Sequence, residues 1–118
     1  MIVLPGGLPG LDCLDQDPRI SVLLKNMIIK GKPVAAICAA PKVLANAGLL
    51  ENKSATSYPG VLDELDLPET YFTCDAVTID GQIITSRGPG TTIDFALTLI
   101  EELVGKEKRD SVEAGLVR

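Results

Sequence analysis

The pattern of apolar positions alternates short continuous runs with amphipathic stretches. Residues 1–4 and Val34–Ile37 are unbroken apolar runs, which are typical of parallel strands covered on both faces. Asp17-Pro18 predicts an N-cap followed by proline at the first helical position. The helix that follows has apolar residues at helical spacing and ends at Gly31; they are Ile20, Leu23, Leu24, Met27 and Ile28. We expect residues 8–16 to form a loop or a short irregular turn.

In the middle of the chain, predicted helices and strands alternate again. Residues 39–47 are good helix formers that stop at Gly48, a residue suited to a helix C-terminus. A short strand is predicted over residues 54–58. Residues 74–79 and 82–86 flank Asp80-Gly81, and an Asp-Gly pair between two β-rich runs predicts a hairpin.

The last third predicts two helices. Thr91 is a suitable N-cap, and Asp94 three residues later completes a pattern like a capping box. The core face of this helix is predicted to carry Ile93, Ala96, Leu97, Ile100, Leu103 and Val104. A final amphipathic helix is predicted over residues 106–118. Strands that alternate with helices indicate an α/β fold with a mostly parallel sheet.

Length, charge and cysteine content argue against several classes of function. A chain of 118 residues predicts one domain, 1–118. The net charge of −5 without a basic run gives nucleic-acid binding no electrostatic support. No apolar stretch is long enough to span a bilayer, and no basic region of a signal peptide is visible, so we expect no membrane partner. Three widely spaced cysteines without a C-x-x-C motif indicate a reducing compartment, and we expect a cytoplasmic protein.

The chain contains no histidine. This excludes a Ser-His-Asp triad, a Cys-His dyad and the usual histidine metal sites within these residues. We therefore expect no metal. A nucleophile here would need activation by a carboxylate, a tyrosine, a helix dipole or a group from outside the chain.

The strongest candidate for chemistry is Cys38, at the predicted junction of a buried strand and a helix. Open α/β sheets place ligands at the carboxyl ends of their strands. A thiol at a helix N-terminus is favoured as thiolate. The competing interpretation is a small buried residue, which is the usual role of a free cysteine. The local pattern alone supports both interpretations about equally.

Three loops, taken in order, resemble one family. They are Leu-Pro-Gly-Gly at 4–7, Ala-Ile-Cys-Ala-Ala-Pro at 36–41 and Thr-Ser-Arg-Gly-Pro-Gly-Thr at 85–91. Together they resemble the ThiJ/PfpI family of class I glutamine amidotransferase-like proteins, in the branch of the Parkinsonism-associated deglycase. The resemblance implies a flavodoxin-like three-layer α/β/α sandwich and a homodimer. It also implies a nucleophile at Cys38 and an oxyanion hole formed by the backbone N–H groups of Gly7 and Ala39.

Two departures from the family pattern bear on activity. Tyr58 stands where many members have a histidine; it is either a hydrogen-bond donor or a packed aromatic residue. Members of the family begin with a strand-helix-strand segment that supplies a glutamate to the cysteine, and no acidic residue here matches it. We therefore expect an N-terminally truncated domain, the C-terminal two-thirds of the family domain, with impaired turnover.

The resemblance implies cysteine-dependent, cofactor-independent chemistry on reactive carbonyls. The partners would be small reactive aldehydes or glycated groups, in the manner of a glyoxalase that converts methylglyoxal to lactate or of a protein deglycase. Gly6, Tyr58 and Arg87 are possible supporting residues; Arg87 would meet an anionic product, or else form an ion pair in a loop or interface. The alternative is a redox sensor or stress chaperone that oxidises Cys38 without turnover. Peptidase activity ranks last, because it requires a histidine.

Overall fold

A computed structural model describes residues 1–118, and its strands and helices alternate through most of the chain. In chain order the strands are β1 (Ile2–Leu4), β2 (Val34–Ile37), β3 (Ser54–Ala55), β4 (Tyr71–Phe72), β5 (Val77–Asp80) and β6 (Ile83–Ser86). The helices are α1 (Gly10–Gln16), α2 (Pro18–Ile29), α3 (Pro41–Asn46), α4 (Thr92–Val104) and α5 (Lys106–Leu116). A single 3-10 turn, Pro89–Thr91, precedes α4.

The main sheet has the strand order β1-β2-β6-β5. The first three strands are parallel, and β5 pairs with β6 in the antiparallel direction. Gly81, in the turn of that hairpin, has a φ of +59°, a backbone conformation that favours glycine. Strands β3 and β4 form a separate parallel pair. The predictions of a mostly parallel sheet and of a hairpin at Asp80-Gly81 are confirmed.

Helices cover both faces of this sheet. On one face Val34, Ala36 and Ile83 pack in a cluster with one leucine from each of three helices: Leu11 of α1, Leu24 of α2 and Leu44 of α3. On the other face Phe95 of α4 packs against Ala35 and Ile84. Helix α5 packs on α4 and buries none of its own residues. The predicted three-layer α/β/α arrangement is therefore confirmed.

The predicted start of α2 is confirmed in detail. Asp17 is the N-cap, and its carboxylate accepts the backbone N–H of Arg19 at 2.9 Å, with Pro18 at the first helical position. Gly31 follows the end of the helix with a φ of +72°. None of the helices is long and apolar enough to cross a lipid bilayer.

The prediction of a loop or short irregular turn over residues 8–16 is wrong, because most of this segment forms the helix α1. The first turn is closed by Leu11 N–H to the Gly7 carbonyl at 3.0 Å and by Asp12 N–H to the Pro9 carbonyl at 3.0 Å. Leu11 is buried in the core, and Leu14 packs against it. Tertiary burial of these two leucines, on a segment too short for a clear helical period, makes the helix.

The predicted core face of α4 is wrong in part. Four of the predicted positions are exposed, namely Ile93, Ala96, Leu103 and Val104. The buried positions are Leu97, which was predicted, and Phe95, which was not. Apolar residues occupy most of the circumference of this helix, so its sequence does not define one stripe. The contact of Phe95 with Ala35 and Ile84 decides which side faces the sheet.

Several other boundaries are shorter than predicted. The strand expected over 54–58 spans Ser54–Ala55, and its partner Tyr71–Phe72 lies in a segment with no predicted strand. The helix expected over 39–47 spans Pro41–Asn46. Thr91 does precede α4, but the capping box with Asp94 is absent: the Thr91 hydroxyl bonds to Gly88, and the Asp94 carboxylate accepts from Arg118 at 2.6 Å.

Candidate functional site

Cys38 occupies a strained turn at the carboxyl end of β2. Its φ is 65°, a left-handed backbone conformation that residues with a Cβ rarely adopt. Two hydrogen bonds hold this backbone: Cys38 N–H donates to the Ser86 carbonyl at 3.0 Å, and Tyr58 N–H donates to the Cys38 carbonyl at 2.7 Å. The side chain is partly exposed, so the predicted elbow presents a thiol at the edge of the sheet.

Gly6 lies directly against this thiol. A Cβ on Gly6 would stand 2.6 Å from Cβ of Cys38, 3.2 Å from the Ile37 carbonyl oxygen and 3.3 Å from Sγ of Cys38. Contacts below 3.0 Å between such atoms do not occur without movement of the backbone or the side chain. The structure therefore requires glycine at position 6 for the observed position of Cys38.

Two backbone N–H groups beside the elbow have no acceptor within the chain. They belong to Gly7, which follows Gly6 with a φ of +96°, and to Ala39, which follows Cys38. In the elbow, the amides on either side of Ala39 are bonded, Cys38 N–H to the Ser86 carbonyl and Ala40 N–H to the Ile37 carbonyl, whereas in the loop after β1 the amides of Gly6 and Leu8 are also without an acceptor. Free amide donors next to a nucleophile can stabilise an oxygen that gains negative charge.

The helix after Cys38 supplies little electrostatic help. Helix α3 begins at Pro41, three residues beyond Cys38, and is six residues long. The field of a helix terminus falls off within its first turn. Activation of the thiol by the helix dipole, expected when the helix was predicted to start at Ala39, is correspondingly weaker.

Tyr58 is not at the end of a strand, since β3 stops at Ala55. Its backbone supports the elbow through the bond to the Cys38 carbonyl. Its ring lies over Gly88, where an added Cβ would meet Cδ2 of the ring at 3.4 Å. The side chain is 50% exposed, and its hydroxyl bonds no group of the chain, so it is available to a ligand.

Arg87 makes no ion pair within the chain. Its Nη1 donates to the Cys74 carbonyl at 2.7 Å, and its backbone N–H donates to the Ala76 carbonyl. It follows Ser86, whose carbonyl holds the Cys38 N–H. The ion pair considered from the sequence is thus absent inside the chain, and the guanidinium keeps donors free.

Two residues that the sequence did not single out as functional hold this loop in place. The buried Ser86 hydroxyl bonds to the Ala76 carbonyl at 2.8 Å and to the Thr91 hydroxyl at 2.7 Å. The Thr91 hydroxyl also accepts the Gly88 N–H at 3.1 Å. The signal in the sequence was a serine and a threonine five positions apart on either side of Gly-Pro-Gly. No group of three or more Asp, Glu or Cys side chains is arranged to hold a metal ion.

Comparison with known families identifies the fold that carries this elbow. The profile of the DJ-1/PfpI family matches residues 1–102. The chain belongs to the DJ-1/PfpI family. The resemblance of the three loops is thereby confirmed, and the flavodoxin-like architecture agrees with solved structures of the family.

Relatives of known name extend this comparison. The chain is 48% identical to protein DJ-1 homolog A of Arabidopsis thaliana over 99% of its own length and 30% of that protein. It is 38% identical to the glutathione-independent glyoxalase DJR-1.2 of Caenorhabditis elegans, covering 95% of this chain and 59% of the relative. It superimposes on the crystal structure of Drosophila melanogaster DJ-1beta with a TM-score of 0.89 at 46% identity. That match covers 98% of this chain and 62% of the fly protein, so the chain spans less than two thirds of each of these proteins.

Proposed function

We propose that Cys38 is a nucleophile for small reactive aldehydes such as methylglyoxal, without a cofactor. One observation carries the proposal: Cys38 has a left-handed backbone and packs against Gly6, and the N–H groups of the next residues along the chain, Ala39 and Gly7, bond no acceptor within the chain. Strained backbone at a partly exposed cysteine is typical of functional sites. The similarity to a nematode protein named as a glutathione-independent glyoxalase supports the same chemistry.

The reaction begins when the Cys38 thiolate attacks the aldehyde carbon. A C–S bond forms, and the carbonyl electron pair moves to the oxygen, which accepts hydrogen bonds from the two free amides. A base then moves the proton of that carbon to the neighbouring ketone carbon. The C–O bond at the first carbon becomes a carbonyl again, which yields a thioester, and the former ketone oxygen takes a proton to become the hydroxyl of lactate. Water cleaves the C–S bond of the thioester, so that lactate leaves and the thiol is restored. A deglycase would use the same attack on an early glycation adduct.

The proton transfer is the weak step in this chain. No side chain hydrogen-bonds the Cys38 sulfur. A positioned acid or base contributes typically about 100- to 10,000-fold to a rate. We therefore propose that these 118 residues bind aldehydes covalently at Cys38 but release lactate slowly.

The test separates covalent attack from turnover. Methylglyoxal should protect Cys38 from alkylation, and the protection should reverse on dilution, because a hemithioacetal forms reversibly. Lactate should form slowly, and Cys38→Ser should abolish it, whereas Cys13→Ser should leave it unchanged. Equal lactate production by the Cys38→Ser variant would contradict the proposal.

A second function rests on the same amides. Donors that hold an alkoxide would also hold the oxygens of a sulfinate, which forms when a peroxide oxidises the thiolate in two steps. In this redox-sensing role Cys38 would be modified without turnover of an aldehyde. Selective conversion of Cys38 to sulfinate by hydrogen peroxide, in a protein that makes no lactate from methylglyoxal, would favour this role.

We also propose a cytoplasmic homodimer. All three cysteines are free, which suits a reducing compartment. Apolar side chains of α4, including Ile93, Leu103 and Val104, are exposed and available for association. We expect contact surfaces near the Gly88-Pro89-Gly90 loop or α3. Light scattering at high concentration should give a mass above that of the monomer.

A further inference from the structure

A cavity of about 250 Å³ lies beside the strand pair β3–β4 and is separate from the elbow. Its lining comes from within residues 55–63, from residues 72–74 and from Arg87, and Cys38 is not part of it. The volume lies just below the range of about 300–1,000 Å³ that holds drug-sized ligands, so a smaller molecule fits it.

The hydroxyl of Thr56 is a polar group without a partner in the wall of this cavity. The residue is only 2% exposed, and its backbone N–H donates to the Thr85 hydroxyl at 3.0 Å. Its own hydroxyl bonds no group of the chain, yet the oxygen is not sealed from solvent. Because Thr56 lines the cavity, this oxygen opens into it and is available to a ligand there.

Two side chains of opposite charge line the same cavity and do not pair with each other. Arg87 donates from Nη1 to the Cys74 carbonyl at 2.7 Å, which holds the guanidinium at this wall and leaves its other N–H groups free. Asp63 forms no ion pair within the chain. A ligand with only one charge would therefore meet a like charge as well as an opposite one, whereas a zwitterion would satisfy both.

The rest of the lining includes an apolar wall. Phe72 is 42% exposed, and Leu62 and Ala55 are buried behind the cavity surface. An aromatic ring that is partly open to a cavity can pack against the apolar side chain of a ligand. The cavity thus combines a guanidinium, a carboxylate, a hydroxyl and an apolar wall within the volume of a small molecule.

We propose that this cavity binds a free α-amino acid with an apolar side chain. The ligand carboxylate accepts from Arg87, since a guanidinium suits the planar geometry of a carboxylate. The ligand ammonium donates to Asp63, the Thr56 hydroxyl bonds one of these polar groups, and the ligand side chain packs on Phe72. The proposal concerns binding only and does not depend on the role of Cys38.

The test uses L-leucine and two analogues that each lack one charge. L-leucinamide keeps the ammonium and the side chain but has no carboxylate, and 4-methylpentanoate keeps the carboxylate but has no ammonium. NMR titration of the isotope-labelled chain should give saturable shifts for L-leucine at residues 55–63 and 72–74. Each analogue should bind at least about tenfold more weakly, because a hydrogen bond to a charged group is lost.

Variants assign each charge to its partner. Arg87→Gln should weaken L-leucine by about tenfold and leave the affinity for L-leucinamide unchanged. Asp63→Asn should weaken L-leucine similarly without weakening 4-methylpentanoate. Asp66→Asn is the matched control, since Asp66 lines a different cavity and its loss should change neither affinity.

Thr56→Val separates binding from folding. Valine keeps the shape of threonine and removes only the hydroxyl, which bonds nothing in the chain. The variant should therefore unfold at the same urea concentration as the unmodified protein but bind L-leucine about fivefold more weakly. A variant that loses stability and keeps its affinity would show that the hydroxyl serves the fold and not a ligand.

The outcomes are independent of the proposed function at the thiol. Cys38→Ser should bind L-leucine as tightly as the unmodified protein does, so loss of carbonyl chemistry leaves this inference standing. Equal affinities for L-leucine, L-leucinamide and 4-methylpentanoate would overturn it, and so would the absence of saturable shifts at the cavity.

Discussion

Gly6 packs so closely against Cys38 that position 6 has no room for a side chain while Cys38 keeps its observed position. A methyl group on Gly6 would lie 2.6 Å from Cβ of Cys38 and 3.3 Å from its sulfur. We predict that Gly6→Ala displaces the elbow and slows alkylation of Cys38 by about 100-fold, the cost of a small misplacement of reacting groups. The rate is measured by mass spectrometry of the peptide that contains Cys38 after timed exposure to iodoacetamide.

Gly10→Ala is the matched control for this variant. A Cβ on Gly10 meets no atom within 4 Å, and Gly10 lies at the start of α1. Alanine there should leave the labelling rate of Cys38 unchanged. If Gly6→Ala labels as fast as Gly10→Ala, the contact does not determine the position of the thiol.

The left-handed backbone of Cys38 predicts an unusual order of stability among its variants. At a φ of 65° a residue with a Cβ is strained by roughly 1–2 kcal/mol, and glycine is not. The greater backbone entropy of glycine in the unfolded chain offsets about 0.5–1 kcal/mol of that advantage. Cys38→Gly should therefore be at least as stable as Cys38→Ala, with a difference of up to about 1.5 kcal/mol in urea denaturation.

Replacing alanine by glycine inside a helix should instead lower the free energy of unfolding. Ala114 is an exposed residue of α5, and Ala114→Gly should cost about 1 kcal/mol. A Cys38→Gly variant that is less stable than Cys38→Ala by a similar amount would show that the elbow is not strained in solution.

The start of α2 predicts a dependence of stability on pH. The hydrogen bond from the Arg19 side chain lowers the pKa of Asp17 from 3.8 to about 2. The folded state thus favours the charged carboxylate, so its stabilising effect is complete above about pH 4 and is lost as the pH falls through about 2. Asp17→Asn keeps a capping oxygen but has no charge to lose.

The unfolding free energies of the two proteins should therefore converge between pH 4 and pH 2. The effect should be small and sensitive to salt, because the Arg19 side chain is 88% exposed. Chemical denaturation at several pH values provides the measurement. A difference that stays constant across this range would contradict the assigned pKa of Asp17.

The elements that could be predicted from the sequence are those with a strong local signal. Val34–Ile37 is long and apolar enough to be recognised as a buried strand, Asp17-Pro18 determines a helix start, and Asp80-Gly81 determines a hairpin. Tyr71–Phe72 could not be predicted, because a two-residue strand depends on its pairing with Ser54–Ala55 and not on its own pattern. The buried side of α4 depends in the same way on Phe95 meeting the sheet.

The motifs of the candidate site could be recognised in the sequence, but the contacts between their residues could not. Nothing in the local sequence shows that Gly6 touches Cys38, because residues 6 and 38 meet only when β1 pairs with β2. The supporting bonds of Ser86 and Thr91 are likewise a product of the fold. The roles of Gly7 and Ala39 remain a prediction whose support is their unbonded amides.

The most direct test of the account is the relative reactivity of the three cysteines in the folded chain. Cys13 and Cys74 are exposed, whereas Cys38 is partly buried, so accessibility alone predicts that Cys38 reacts last. The account predicts the reverse: brief iodoacetamide treatment followed by peptide mapping should label Cys38 first, and unfolding in urea should remove the difference. Labelling of Cys13 or Cys74 ahead of Cys38 in the folded protein would contradict the assignment of Cys38 as the nucleophile.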